Sequence, residues 1–76
     1  MEEKIKGILS SIRPEFDFNE AQDFIEVGML DSFDIVSLIA NLEITFGIRI
    51  DGEDVVPENF VSVGNIIALL GKYGVH

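Results

Sequence analysis

Seventy-six residues make one small domain, expected to span 1–76; a chain this short buries only roughly 60% of the surface its unfolded form exposes, which allows one compact core but not a deep catalytic cleft as well. Hydrophobic content of 47% and charged content of 25% mark a folded globule, and the absence of cysteine excludes a disulfide framework and a thiolate-bound metal. Fourteen acids against five bases, a formal charge of −9, argue against nucleic-acid and anionic-lipid partners, favour basic protein surfaces, and help keep the domain soluble and monomeric.

The N-terminus, Met1-Glu2-Glu3-Lys4, lacks the basic start and apolar run of a secretion signal. Ile5, Ile8, Leu9 and Ile12 then recur at helical spacing and predict a first helix. Pro14 should stop it, because the residue before a proline is pushed out of the α region. Pro14 to Asp31 is a long connection for so small a domain. Phe16, Phe18, Phe24 and Ile25 in it offer anchors to a shared core, and Asn19 followed by Gln22 is placed to cap a brief helical turn. A second stripe, Ile35, Leu38, Ile39, Leu42 and Phe46, predicts the main helix, with Gly47 placed to end it in a left-handed cap.

Ile48-Arg49-Ile50 alternates like a strand but has no partner strand, so an extended connection is expected. Asp54 to Phe60 has room for one short helical turn, with the pattern interrupted at Pro57. The last stripe is Val63, Ile66, Ile67 and Leu70, with Ser62 as N-cap, Val61 and Ile66 as a hydrophobic staple, and Gly71 or Gly74 at its close. The uncharged run from Asn59 to Gly71 is too short to span a bilayer. The expectation is an all-α, cytoplasmic domain with no membrane insertion: three main helices plus one short helix, joined by a long first loop.

Chemistry concentrates in Gly28-Met29-Leu30-Asp31-Ser32-Phe33-Asp34, directly before the second stripe. A helix N-terminus presents unpaired N–H groups and partial positive charge, and so favours a phosphate. Ser32 is free to carry one only if another residue caps the helix. Asp31 fits as N-cap, with Asp34 three residues on completing a capping box in which Asp replaces the usual Glu. The competing reading makes Ser32 itself the cap. A Ser-His-Asp hydrolase is not expected, since the only histidine is His76 at the final position. No metal site is expected either, because Asp51-Gly52-Glu53-Asp54 lacks the alternating ligand spacing of a calcium loop.

The run from Gly28 to Asp34 closely resembles the G-x-x-D-S-L/F-D attachment motif of the acyl carrier and peptidyl carrier proteins. Leu42-Glu43-Ile44-Thr45-Phe46-Gly47 and Phe60-Val61-Ser62-Val63 resemble the same family, so the likeness covers essentially the whole chain from Ile5 to Leu70. The resemblance implies an acyl-carrier-like four-helix bundle with a short third helix. It implies a 4′-phosphopantetheine arm on Ser32, taken from coenzyme A by a magnesium-dependent phosphopantetheinyl transferase, with Asp31 as motif residue and helix cap. An acyl or aminoacyl group would ride on the arm as a thioester, and the carrier itself would catalyse nothing.

The partners so implied are the transferase, an acyl- or aminoacyl-loading ligase, and downstream acyl-transfer or condensing enzymes of lipid, polyketide or peptide-type biosynthesis, with basic docking surfaces. The implied docking positions are Phe33, Ala40 and Glu43, with Asp34 beside the arm. Phe33 also stands out on its own, as a large apolar residue off the stripe that feeds the core. One departure from fatty-acid carriers is that Ser37, Asn41, Ile44 and Thr45 leave only Asp34 and Glu43 as acids in the serine-bearing helix. That points towards a dedicated pathway, with D-alanyl or other aminoacyl transfer for cell-envelope modification as an alternative. From a different class, the chain also reads as an unmodified acidic helical adaptor.

Overall fold

The apolar stripes become three α-helices among the described residues: α1 at Glu2–Ile12, α2 at Ser32–Phe46 and α3 at Val63–Gly71. The computed structural model describes residues 1–19 and 23–75, so the turn expected after Asn19, up to Gln22, lies outside the described residues. No strand occurs among the described residues, and Ile48-Arg49-Ile50 connects without regular secondary structure. α1 packs against both α2 and α3. Its Ile5 and Leu9 are buried between them, together with Leu38 and Leu42 of α2 and Ile66, Leu69 and Leu70 of α3.

The long first loop is pinned from within. Phe18 and Phe24 are buried and meet edge to face, with ring centroids 5.0 Å apart and an interplanar angle of 87°, a preferred aromatic geometry. The Phe24 N–H donates to the Val61 carbonyl at 2.8 Å, tying the loop to the entry of α3. Asp23 Oδ1 accepts from the N–H groups of Ile25 and Glu26, capping the turn that follows. Gly28, at φ 82, then reverses the chain so that the Met29 and Leu30 N–H groups both return to the Phe24 carbonyl. Met29 and Leu30 are thereby buried immediately before the start of α2.

Beyond α2 the chain makes 3-10 turns at Gly52–Asp54 and Pro57–Phe60. The second is the short third helix, and it corrects the expectation about Pro57. Proline opens this turn instead of interrupting it, because its fixed φ suits a first helical position whose N–H has no intrahelical acceptor. The acidic run at 51–54 is fastened to the C-terminal segment. Lys72 Nζ lies 2.6 Å from Asp54 Oδ1, the Tyr73 hydroxyl donates to Asp54 Oδ2, and the Asp51 N–H donates to the Tyr73 oxygen at 3.0 Å. Ser62 caps α3 by accepting from the Asn65 N–H at 3.1 Å. α3 itself ends at Gly71, and its turn closes at Gly74, φ 80, where the Val75 N–H reaches the Leu70 carbonyl.

Gly47 ends α2 at φ 66, ψ 40, with open space where a Cβ would stand, so any substitution there meets backbone strain alone. Gly47→Ala should destabilise the fold by roughly 1–2 kcal/mol. Gly7, inside α1 with equally open surroundings, should do the reverse, with Gly7→Ala adding roughly 0.5–1 kcal/mol. Urea midpoints of the two variants check both signs.

Candidate functional site

The start of α2 is set by a reciprocal cap. Asp31 has extended backbone, φ −115 and ψ −174, and its Oδ1 accepts from the Asp34 N–H at 3.0 Å. In return, Asp34 Oδ2 accepts from the Asp31 N–H at 3.0 Å. This is the capping box expected from Asp31 and Asp34, and it occupies the Asp34 N–H that a capping Ser32 would otherwise take. Ser32 is left at the first helical position, exposed, and no hydrogen bond occupies its hydroxyl among the described residues.

A third residue holds the box, and it was not a candidate from the sequence. Arg13, just past the end of α1, donates from Nε to Asp34 Oδ2 at 2.8 Å and from Nη2 to Asp31 Oδ2 at 3.3 Å. Its Nη1 reaches Glu15 Oε2 at 3.3 Å. These bonds raise the guanidinium's pKa, chiefly through Asp34 and then Glu15. Asp34 is only 8% exposed, so its carboxylate is committed inward, to the cap and to Arg13. The Asp31 carboxyl is held below the usual carboxylate range, first by the Asp34 N–H and further by the Arg13 charge.

The remaining candidates lie along α2. Phe33 is 84% exposed, and Ala40 is exposed on the same face. Glu43 is half-buried and accepts the Ile50 N–H on Oε2 at 2.9 Å, so it fastens the connection leaving α2. Phe33 and Ala40 therefore share a face that Asp34 and Glu43 do not present. Val36, 66% exposed, and Ile44, 81% exposed, complete that face instead. At about 100° per residue, positions 33, 36, 40 and 44 fall on one side of the helix, opposite Leu38 and Leu42.

Ser32 also borders an open apolar groove of about 240 Å³, lined by Ile35, Val36, Val55, Val56 and Pro57. A larger depression, about 400 Å³, lies between the starts of α1 and α3 and includes none of the motif residues. Among the described residues, no helix is long and apolar enough to cross a membrane, and no group of His, Cys, Asp and Glu is gathered to hold a metal.

A family model described as "Phosphopantetheine attachment site" matches residues 3–70. The chain belongs to that family. No match is found among curated proteins or among solved structures. Members carry a covalently attached 4′-phosphopantetheine, are modified by phosphopantetheinyl transferases, interact with biosynthetic enzymes and are generally not catalytic. The residues at the start of α2 fit such a group. A carrier needs an exposed hydroxyl free of structural duty, an N-terminus whose N–H groups and dipole suit a phosphate, and nothing crowding the approach. Ser32 combines an exposed position with a cap supplied by Asp31.

Because Asp31 is held ionised by the fold, its contribution to stability has a definite pH signature. A depressed folded pKa gives stability that is fully present above the ordinary carboxylate value, about pH 3.9, and is lost as pH falls through the folded value. Wild type should therefore exceed Asp31→Asn in urea midpoint by a margin that is constant near neutrality and shrinks below about pH 4. A series of urea melts across the acid range checks this.

Proposed function

We propose that this chain is a carrier of acyl or aminoacyl groups, with Ser32 as the residue that bears the phosphopantetheine arm. The observation that carries the reading is the division of labour at the start of α2: Asp31 and Asp34 make the cap, and Ser32 keeps its hydroxyl. When bound, the group supplies a thiol, which the cysteine-free polypeptide lacks, and with it a thioester for the cargo. Ser32 anchors the arm, the α2 N-terminus favours the phosphodiester, and the groove along Ile35, Val36 and Val55–Pro57 offers apolar surface beside the anchor. Tethering makes delivery effectively intramolecular once the carrier docks. The chain is then a substrate of other enzymes and no enzyme itself, working in the cytoplasm as a monomer.

Docking is assigned to the outer face of α2: Phe33, Val36, Ala40 and Ile44. That face carries no charge, since Asp34 is turned inward and Glu43 holds the Ile50 N–H. Basic side chains of partner enzymes meet instead the exposed Glu53 and Glu58, on either side of the Val55–Pro57 wall. Such a face suits a loading ligase and acyl-transfer or condensing enzymes of a dedicated lipid, polyketide, peptide-type or D-alanyl pathway better than partners that read an acidic helix.

Intact mass before and after incubation with coenzyme A, magnesium and a broad-specificity phosphopantetheinyl transferase tests the attachment. One phosphopantetheine should be gained, and none by Ser32→Ala. A folded, initially unmodified sample that gains nothing from several transferases would return Ser32 to the rank of a surface residue of an adaptor. For docking, Ile44→Asp should leave the urea midpoint nearly unchanged, as exposed substitutions usually do within about 0.5 kcal/mol, yet lower kcat/KM with the loading enzyme. An unchanged kcat/KM would remove Ile44 from the docking face.

A further inference from the structure

A site that accepts a phosphodiester between two carboxylates carries an electrostatic contradiction. The cap sets the carboxylates of Asp31 and Asp34 on either side of Ser32, and a new anion on Ser32 is repelled by both. Arg13 is the base that the structure sets against them, with Nε on Asp34 and Nη2 on Asp31. The paired lysines serve elsewhere: Lys6 meets Glu2, and Lys72 meets Asp54. The helix start also has two competing registers. Asp31 can cap it, or Ser32 can, since serine is an equally favoured N-cap. In the second register the Ser32 oxygen is consumed. A guanidinium that bonds both members of the Asp31–Asp34 box favours only the first register.

We propose that Arg13 is the positioning residue for modification of Ser32: it neutralises Asp31 and Asp34 and locks the register that leaves the Ser32 hydroxyl free. The proposal rests on Ser32 being the attachment residue. In that reaction the Ser32 oxygen bonds to the pantetheine-side phosphorus of coenzyme A, and that phosphorus parts from the bridging oxygen. Adenosine bisphosphate leaves, and the serine proton passes to a base of the transferase. The product is an anion on Ser32, so a base that neutralises the neighbouring carboxylates favours both the transition state and the product. Lysine can supply the charge, but not the planar fork that reaches both carboxylates at once.

The test compares wild type, Arg13→Gln, Arg13→Lys and the double variant Arg13→Gln/Asp34→Asn, each shown to be folded by circular dichroism. Arm addition is followed by intact mass with coenzyme A, magnesium and one transferase, and the cap register by NMR carbon shifts of Asp31 and Ser32 in the unmodified protein. Arg13→Gln should lose about tenfold or more in kcat/KM, as expected for a misplaced reacting group, with Ser32 shifts moving towards those of a capping serine. Arg13→Lys should recover part of the rate. The double variant should also recover part of it, because it removes one repelling carboxylate while the amide oxygen put in its place still accepts the Asp31 N–H.

Wild-type kcat/KM in Arg13→Gln overturns the proposal. So does a loss that neither rescue relieves and that leaves the Ser32 shifts in place, since that pattern reports a structural role only. If Arg13→Gln does not fold, Arg13→Lys decides: a slower rate with moved shifts supports the proposal, and wild-type behaviour in both overturns it. A folded wild type that takes no arm at all overturns the reading of Ser32 itself, a result distinct from any difference among the Arg13 variants.

Discussion

Much of this structure depends on which residue satisfies the first N–H groups of α2. A helix start leaves four N–H groups without intrahelical acceptors, and a serine at that place is normally drawn in to meet them. Here Asp31 and Asp34 meet each other's N–H groups instead, and Arg13 grips both carboxylates from the end of α1. The outcome is an exposed hydroxyl at the positive end of a helix with no structural duty. The same three residues join α1 to α2, so the place of Ser32 is set by the packing of the bundle and not by a mobile loop.

The other elements deliver this start to its place. The Phe24 carbonyl gathers the N–H groups of Met29 and Leu30 after Gly28 has turned the chain. Burial of Met29 and Leu30 then fixes where Asp31 must emerge. On the far side, Lys72 and Tyr73 hold Asp54, and the chain runs from there into Val55–Pro57, the wall that faces Ile35 and Val36 across the groove beside Ser32. Long loops in a small domain often carry function. In this chain the described parts of both loops are tied down by hydrogen bonds to side chains and carbonyls; the first ends at Asp31, next to the serine, and the second runs past it at Val55–Pro57.

The helices and the cap were legible in the sequence because they obey local rules. Ile5, Leu9, Leu38, Leu42, Ile66 and Leu70 follow the helical period and are buried, and the Asp31–Asp34 box and the Ser62 cap follow fixed offsets. Phe18 and Phe24 announced a pinned loop by their size alone. Arg13 was not legible, since its partners lie 18 and 21 residues away and no periodicity links them. Nor did composition show that Glu43 turns its carboxylate to the Ile50 N–H. Charge in a sequence has no direction until the chain is folded. The surface role of Val36 and Ile44 was not legible for the opposite reason. They continue the face begun by Phe33, but the core stripe beside them accounts for the helix without them. At Pro57 the pattern alone is ambiguous, because proline breaks a helix from within but starts one readily.

Asp31, and not Ser32, caps α2. Urea unfolding of Asp31→Ala and Ser32→Ala at neutral pH tests it most directly. A clear fall in midpoint is predicted for Asp31→Ala and almost none for Ser32→Ala. A fall for Ser32→Ala with Asp31→Ala unaffected would contradict it, because the serine would then be spent on holding the helix together.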